Sequence, residues 1–168
     1  MAARVVLGWR EWLALPALGI VAIRAKVDTG ARSSALHVDA HWRLVVRGAP
    51  WVGFRLHLDR HAPDVIEAFA PVSDERDVVD SGGHRSRRVF LRTSLALAGQ
   101  ERDIELNLCD RRGMLFPMLL GRSALDGWCT VDPARSFLHG KPARRVALRR
   151  GPAVPSDAAR YQAGHAAR

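Results

Sequence analysis

Asp28 is the side chain with the clearest chemical potential, because of where it stands along the chain. In residues 21–27 apolar side chains alternate with small or charged ones, which is the period of a half-buried strand. The pattern ends in Asp28-Thr29-Gly30, an acid followed by a hydroxyl and by a residue that readily adopts a positive φ. The sequence therefore predicts a carboxylate at the mouth of a strand, beside a turn whose backbone can approach a ligand closely.

A second element adds weight to this motif. An apolar strand, Met118–Leu120, runs into Gly121-Arg122 and then into residues typical of a helix start. The Asp-Thr-Gly motif together with this apolar-Gly-Arg element resembles the retropepsin-like aspartic peptidases. The resemblance is strengthened by the longer string 25–37, by residues 80–84 and by residues 131–133. More narrowly, the sequence resembles the RimB-like bacterial family also named ATP-dependent zinc proteases, which is often found beside RimK-type glutamate ligases. The resemblance covers residues 9–141.

The resemblance implies a fold and an activity. The fold is mainly β, a closed retropepsin-like barrel with one short helix after the Leu-Leu-Gly-Arg element. The activity is that of an aspartic endopeptidase, in which two carboxylates share a proton and activate one water. Because the chain has one clear Asp-Thr-Gly, the simplest arrangement is a homodimer with Asp28 from each subunit on the two-fold axis. There Thr29 braces the paired loops, and Gly30 leaves room for a peptide backbone.

Asp80-Ser81-Gly82 is the other common spelling of the same motif, so it is a second candidate acid. The 52 positions from Asp28 to Asp80 are too few for a complete second lobe, and only one apolar-Gly-Arg element follows. We therefore predict that Asp80 belongs to a turn within a flap-like hairpin spanning residues 73–88. The pair Gly82-Gly83 suits a segment that folds over substrate and reopens.

The resemblance also suggests which residues surround the reacting bond. Gly121 and Arg122 are expected to support the catalytic loop from beneath. In retroviral enzymes this arginine pairs with an acid two positions beyond the motif's glycine, but that position is Arg32 here, so Arg122 needs another partner. Arg32 itself is either a cation for a substrate carboxylate or a solvated side chain. The predicted substrate-binding residues are Ala31, Arg32, Ser34, Gly82, Gly83, His84 and Arg88.

The elements that must position these residues are short strands. Nine prolines, 14 glycines and short apolar runs favour many strands over long helices. Ser123 is predicted to cap a short helix that runs through Leu125. The strand patterns lie in residues 5–15, 42–46, 51–58, 65–72, 89–97 and 104–108, and residues 131–138 are predicted to hold a turn at Asp132-Pro133 and a last short strand.

Composition limits the protein class. With 168 residues and 48% hydrophobic content, the chain predicts one domain with a real core, spanning residues 1–142. Residues 143–168 are rich in arginine, alanine and proline without an apolar period, so we expect a basic, disordered tail. The apolar run 13–23 is too short to span a bilayer, which favours a cytoplasmic protein without a membrane partner. Cys109 and Cys129 are outside any CxxC motif and are expected to be reduced strand residues.

The net charge of +9 fits either a soluble basic surface or an anionic partner such as nucleic acid or an acidic peptide, and charge alone does not choose between them. Arg32 and the hairpin arginines would make the cleft positive, and the glutamate-ligase context implies acidic or glutamylated protein tails as substrate. Nucleic acid is not expected, because the basic tail lacks interleaved aromatic residues.

No cofactor or metal is predicted, despite the word zinc in the family name. No H-E-x-x-H motif occurs, and no histidine pair has a glutamate placed as a base. A different class of function stays open: a catalytically silent β-barrel module that binds acidic peptides.

Overall fold

Strands dominate the structure, a computed structural model that describes residues 3–59, 61, 64–110, 113–142 and 159–160. The helical elements of these residues are a 3-10 turn, Pro16–Leu18, and one α-helix, α1 (Arg122–Leu125). No helix within these ranges has the length and apolar character needed to cross a membrane. The strands are β1 (Val5–Gly8), β2 (Arg10–Leu15), β3 (Ile20–Val27), β4 (Ser34–His37), β5 (Ala40–Val46), β6 (Ala49–His57), β7 (Val65–Pro71), β8 (Asp74–Val79), β9 (Arg85–Leu97), β10 (Gln100–Cys109), β11 (Met118–Leu120), β12 (Cys129–Asp132) and β13 (Ala159–Arg160). The predicted mainly β class with a short helix after Leu-Leu-Gly-Arg is confirmed.

The largest sheet returns on itself. Its strand order is β10-β4-β11-β3-β2-β9-β8, and β9 also pairs with β10. The β9–β10 pairing is long, from Gln100 opposite Leu97 to Asn107 opposite Phe90. On its other side β9 meets β2 through a single residue pair, Ala14 opposite Ala96. The hydrogen-bonded pairings of six strands therefore form a ring, and β8 extends β9 outside it.

Alternation along each strand separates the inside of this ring from its outside. In β3, Ala25 and Val27 are buried in the core, whereas Arg24 and Lys26 point to the opposite face. Burying a leucine-sized side chain contributes about 1.5–3 kcal/mol, so these inward residues fix which face of β3 is internal. The same core cluster contains Leu13, Leu36, Leu91, Leu106, Met118 and Leu120.

A second sheet, β13-β5-β6-β7, stands beside the ring. β5, β6 and β7 form antiparallel hairpins, and Ala159 of β13 lies opposite Val45 of β5. Apart from this two-residue strand, the predicted tail 143–168 lies outside the described residues.

Three predicted elements differ in the structure. The first strand divides at Trp9, whose N–H donates to the Arg135 carbonyl at 2.9 Å and whose carbonyl accepts the Val27 N–H at 2.8 Å. In residues 131–138 the predicted turn follows the end of β12, but the short strand expected after the turn is irregular backbone. Helix α1 begins at Arg122, with Gly121 rather than Ser123 at its N-cap and no side-chain cap.

Cys109 and Cys129 are buried at strand positions, as predicted, and neither forms a disulfide. Burial raises the pKa of the Cys129 thiol, against opposing effects of Arg102 and Arg4. A thiol of raised pKa stays protonated at neutral pH, so Cys129 behaves as a small apolar residue.

Candidate active site at the end of strand β3

The Asp28 turn is tied to the neighbouring strand and to itself. The Asp28 N–H donates to the Leu120 carbonyl of β11 at 2.9 Å, which continues the β3–β11 pairing to the acid. The Gly30 N–H donates to Asp28 Oδ1 at 3.0 Å. The second carboxylate oxygen, Oδ2, lies 3.6 Å from Lys26 Nζ. The side chain is 26% exposed, so one oxygen is fixed by the turn while the carboxylate remains accessible.

Arg122 supports this turn through main-chain oxygens. Its Nη1 atom donates to the Thr29 carbonyl at 3.0 Å and to the Gly30 carbonyl at 3.2 Å. Its own N–H donates to the Ala31 carbonyl at 2.8 Å. The missing acid at position 32 is thereby explained, because Arg122 binds the loop backbone and needs no carboxylate.

Gly121 and Ser34 form the layer directly below. A Cβ at Gly121 would lie 2.5 Å from both the carbonyl carbon and the oxygen of Ser33, so only glycine fits without a shift. The Gly121 N–H donates to Ser34 Oγ at 3.0 Å. Ser34, predicted to bind substrate, is fully buried, so its side chain is not accessible to a ligand in this structure. Its hydroxyl instead holds the start of α1.

Asn107 is a site-supporting residue that sequence reasoning missed. It is 1% exposed, and its Nδ2 donates to the Ser34 carbonyl at 2.9 Å. Arg88 Nη1 donates to its Oδ1 at 3.0 Å. Arg88, predicted to bind substrate, is thus partly buried and linked through Asn107 to the layer under Asp28. A polar residue within the apolar β10 pattern was the one available signal.

The predicted flap-like hairpin is formed by β8 and β9, with residues 80–84 at its tip. Asp80 Oδ1 accepts the N–H groups of Gly82 and His84, each at 2.9 Å. Gly83 has φ of 80°, a conformation that glycine adopts without strain. Asp80 is therefore engaged in its own turn, in agreement with the interpretation of this motif as a turn.

The hairpin is not the positive lid that its arginines suggested. Between residues 74 and 88 four acids balance four arginines. Asp77 lies 3.7 Å from Arg85 and 3.8 Å from Arg87 across the two strands, and Glu75 contacts Arg87 and Arg43. The register of β8 against β9 places Asp77 opposite Arg87, so these arginines lie beside acids of the same hairpin and do not make a positive lid.

The other predicted binding residues lie in two places. Ala31 packs against a small buried cluster of Ala35, Cys109 and Leu119, and Arg32 is exposed beside it. Gly82, Gly83 and His84 are exposed at the hairpin tip. Lys26 was missed, although its position two residues before Asp28 on a strand indicated a shared face.

The described histidines include one cluster with a carboxylate. Asp39 Oδ1 contacts His37 Nε2 at 3.1 Å, and Oδ2 contacts His57 Nδ1 at 2.7 Å. Burial acts to raise the pKa of Asp39, but hydrogen bonds from His57 and His37 outweigh it and hold that pKa below its ordinary value. Within the described part of the chain, no group of three or more histidine, cysteine, aspartate or glutamate side chains is arranged to hold a metal ion.

Comparison with known proteins covers most of the chain. A family profile described as RimB-like, retropepsin-like aspartic endopeptidase RimB, matches residues 6–142. Proteins from Shewanella pealeana and Desulfotalea psychrophila, each named probable alpha-L-glutamate ligase, are 37% and 39% identical over 137 and 135 residues. These matches cover 81% and 79% of this chain but only 30% and 29% of the relatives' own lengths.

A solved structure shares the fold over a similar range. It is Lpg0085 of Legionella pneumophila, a protein described as having unknown function. The TM-score is 0.68 with 25% sequence identity, and the match covers 81% of this chain and 98% of the other.

Proposed function

The chain belongs to the RimB-like family of retropepsin-like aspartic endopeptidases, and from that premise we propose that it hydrolyses peptide bonds as a homodimer. The observation that carries the proposal is the geometry of Asp28. Its Oδ1 is fixed by the Gly30 N–H and its backbone by Leu120, while the carboxylate stays accessible at the end of a buried strand. This is the placement that a positioned acid or base requires.

The second carboxylate is proposed to come from a second copy of the chain. Asp80 is not proposed as the partner because it lies in the exposed turn at the tip of the β8–β9 hairpin, where its Oδ1 accepts two N–H groups. A two-fold axis beside Asp28 would bring the same residue from both subunits together, and the interface would be self-complementary.

In the proposed reaction the two Asp28 carboxylates share one proton, since two like charges at close range do not both ionise. The ionised member takes a proton from water as the water oxygen bonds to the scissile carbonyl carbon. The protonated member donates a hydrogen bond to the carbonyl oxygen. Collapse of the tetrahedral centre breaks the C–N bond, and the amine leaves with a proton from the pair.

Acidic protein tails are the proposed substrates. Two observations support this: the chain carries a net charge of +9, and its relatives are named probable alpha-L-glutamate ligases, whose product would be glutamate-rich. Arg32 is exposed next to the Asp28 turn and is proposed to bind a substrate carboxylate. The neutral hairpin does not add to this charge.

The dimer and the catalytic acid are tested together. We expect cleavage of an oligoglutamate-tailed peptide to rise faster than linearly with protein concentration, because a weak dimer dissociates on dilution. Asp28→Asn should abolish turnover while the melting temperature stays close to that of the wild type. A monomer in sedimentation velocity with full activity would contradict the dimer, and an active Asp28→Asn variant would contradict the catalytic role.

The same assay separates the peptidase from the peptide-binding alternative. A matched peptide in which glutamine replaces glutamate should be cleaved more slowly by the wild type. If the wild type binds the acidic peptide but cleaves neither, the chain is a binding module. Equal cleavage of both peptides would remove the preference for acidic tails.

A further inference from the structure

Lys26 is placed to do more than stabilise the fold. Its Nζ lies 3.6 Å from Asp28 Oδ2, and its side chain is 45% exposed. An ion pair this open contributes little to stability. An ammonium group has three N–H donors, so Lys26 can contact Asp28 and still donate to a ligand that lies over the turn.

Arg24 lies two residues before Lys26 on the same strand, β3. Ala25 between the two residues is fully buried in the core, so Arg24 and Lys26 share the outer face of β3. Residues two apart on a strand are separated by about 6.6–6.8 Å. Within the described residues Arg24 forms no ion pair, and its guanidinium carbon lies 6.0 Å from the centroid of the Trp12 ring on β2. The side chain also lines a cavity of about 590 Å³ with Pro117 and His37.

We propose that Lys26 and Arg24 form a carboxylate-binding track along β3 that holds an acidic peptide on one side of the Asp28 site. An extended peptide also places every second side chain on one face at about 6.6–6.8 Å, so two glutamates two positions apart match the two cations. This inference rests on the proposed function for its substrate, but it concerns residues that bind rather than residues that hydrolyse.

Other charges near the track have partners of their own: Arg10, opposite Lys26 on β2, lies over the rings of Trp9 and Phe137. Arg122 donates to the Thr29 and Gly30 carbonyls, and the hairpin arginines Arg85 and Arg87 pair with acids. The cavity beside Arg24 contains Asp39 and Asp59. Both oxygens of Asp39 are occupied by histidines, and Asp59 Oδ1 accepts the His61 N–H at 3.0 Å. Lys26 and Arg24 are thus the cations of β3 that face outward next to Asp28.

Binding is measured first, in the Asp28→Asn background, by fluorescence anisotropy with labelled hexaglutamate. We expect Lys26→Gln and Arg24→Gln each to weaken binding about 5- to 10-fold at low salt, with a smaller effect at high salt. Arg47→Gln is the matched control, because it removes one positive charge from the β5–β6 turn. Equal affinity of the track variants and this control would overturn the proposal.

Spacing provides a second, independent readout. A glutamine peptide with two glutamates two positions apart should bind more tightly than one with adjacent glutamates. Arg24→Gln should abolish that difference, and a spacing preference that survives it would overturn the assignment of Arg24.

Cleavage rates then separate a contact with substrate from an effect through Asp28. In an active background, Lys26→Gln should lower kcat/KM for the glutamate peptide more than for its glutamine counterpart. Equal changes on both peptides would mean that Lys26 acts only on Asp28, which would overturn its binding role. If the track binds as expected while the wild type cleaves nothing, the proposed peptidase fails and the track stands.

Discussion

Ser34→Ala tests whether the buried layer under Asp28 is held as the structure shows. Ser34 is fully buried, and its Oγ accepts the N–H of buried Gly121 at 3.0 Å. The substitution leaves that N–H without an acceptor in a site closed to water, which costs about 1–3 kcal/mol. At roughly 2–4 °C per kcal/mol for a domain of this size, the melting temperature should fall by about 2–12 °C.

Urea denaturation followed by circular dichroism is the suitable assay, with Ser123→Ala as the control. Ser123 is exposed on α1 and makes no capping hydrogen bond, so the same chemical change should cost less than about 0.5 kcal/mol there. The two variants should share the m-value of the wild type. If Ser34→Ala is no less stable than Ser123→Ala, the Ser34–Gly121 hydrogen bond does not support the loop and the reasoning is refuted.

Two further predictions concern neighbouring residues. Gly121→Ala places a methyl group 2.5 Å from the Ser33 backbone, so we expect a loss of about 1–3 kcal/mol together with a lower kcat/KM; a variant with wild-type stability would show that the backbone there is free to move. Asp39→Asn should lower stability at neutral pH. Because the folded state depresses the pKa of Asp39, its contribution is present above the unfolded value of about 4 and is lost as pH falls through the lower folded-state pKa. The difference between variant and wild type should therefore shrink in acid, and thermal melts across pH 2–7 would show whether it does.

Local patterns predicted much of the site. Alternation before Asp28 located β3, and the glycines of residues 80–84 located the hairpin turn, because both signals depend on neighbours in sequence. The burial of Ser34 was not predicted, because it depends on the pairing of β4 with β10 and β11, which no local pattern records. Asn107 was missed for the same reason, because its hydrogen-bond partner, the Ser34 carbonyl, is 73 positions away in the sequence.

The charge of the hairpin shows the same limit. The arginines of the hairpin suggested a positive surface. Which of these arginines are paired depends on the acid that lies opposite each one. That pairing is set by the register of β8 against β9, with Asp77 opposite Arg87. A shift of one residue would change every cross-strand neighbour, so composition gives the net charge of the hairpin but not which of its charges are paired.

The hydrogen bonds from Arg122 to the Thr29 and Gly30 carbonyls have a consequence for which side chains the loop can accept. Every residue type has a carbonyl, so this brace does not depend on the identity of any side chain in the loop. Position 32 therefore has no side-chain role in holding the loop, and we expect a substitution there to leave the position of Asp28 unchanged.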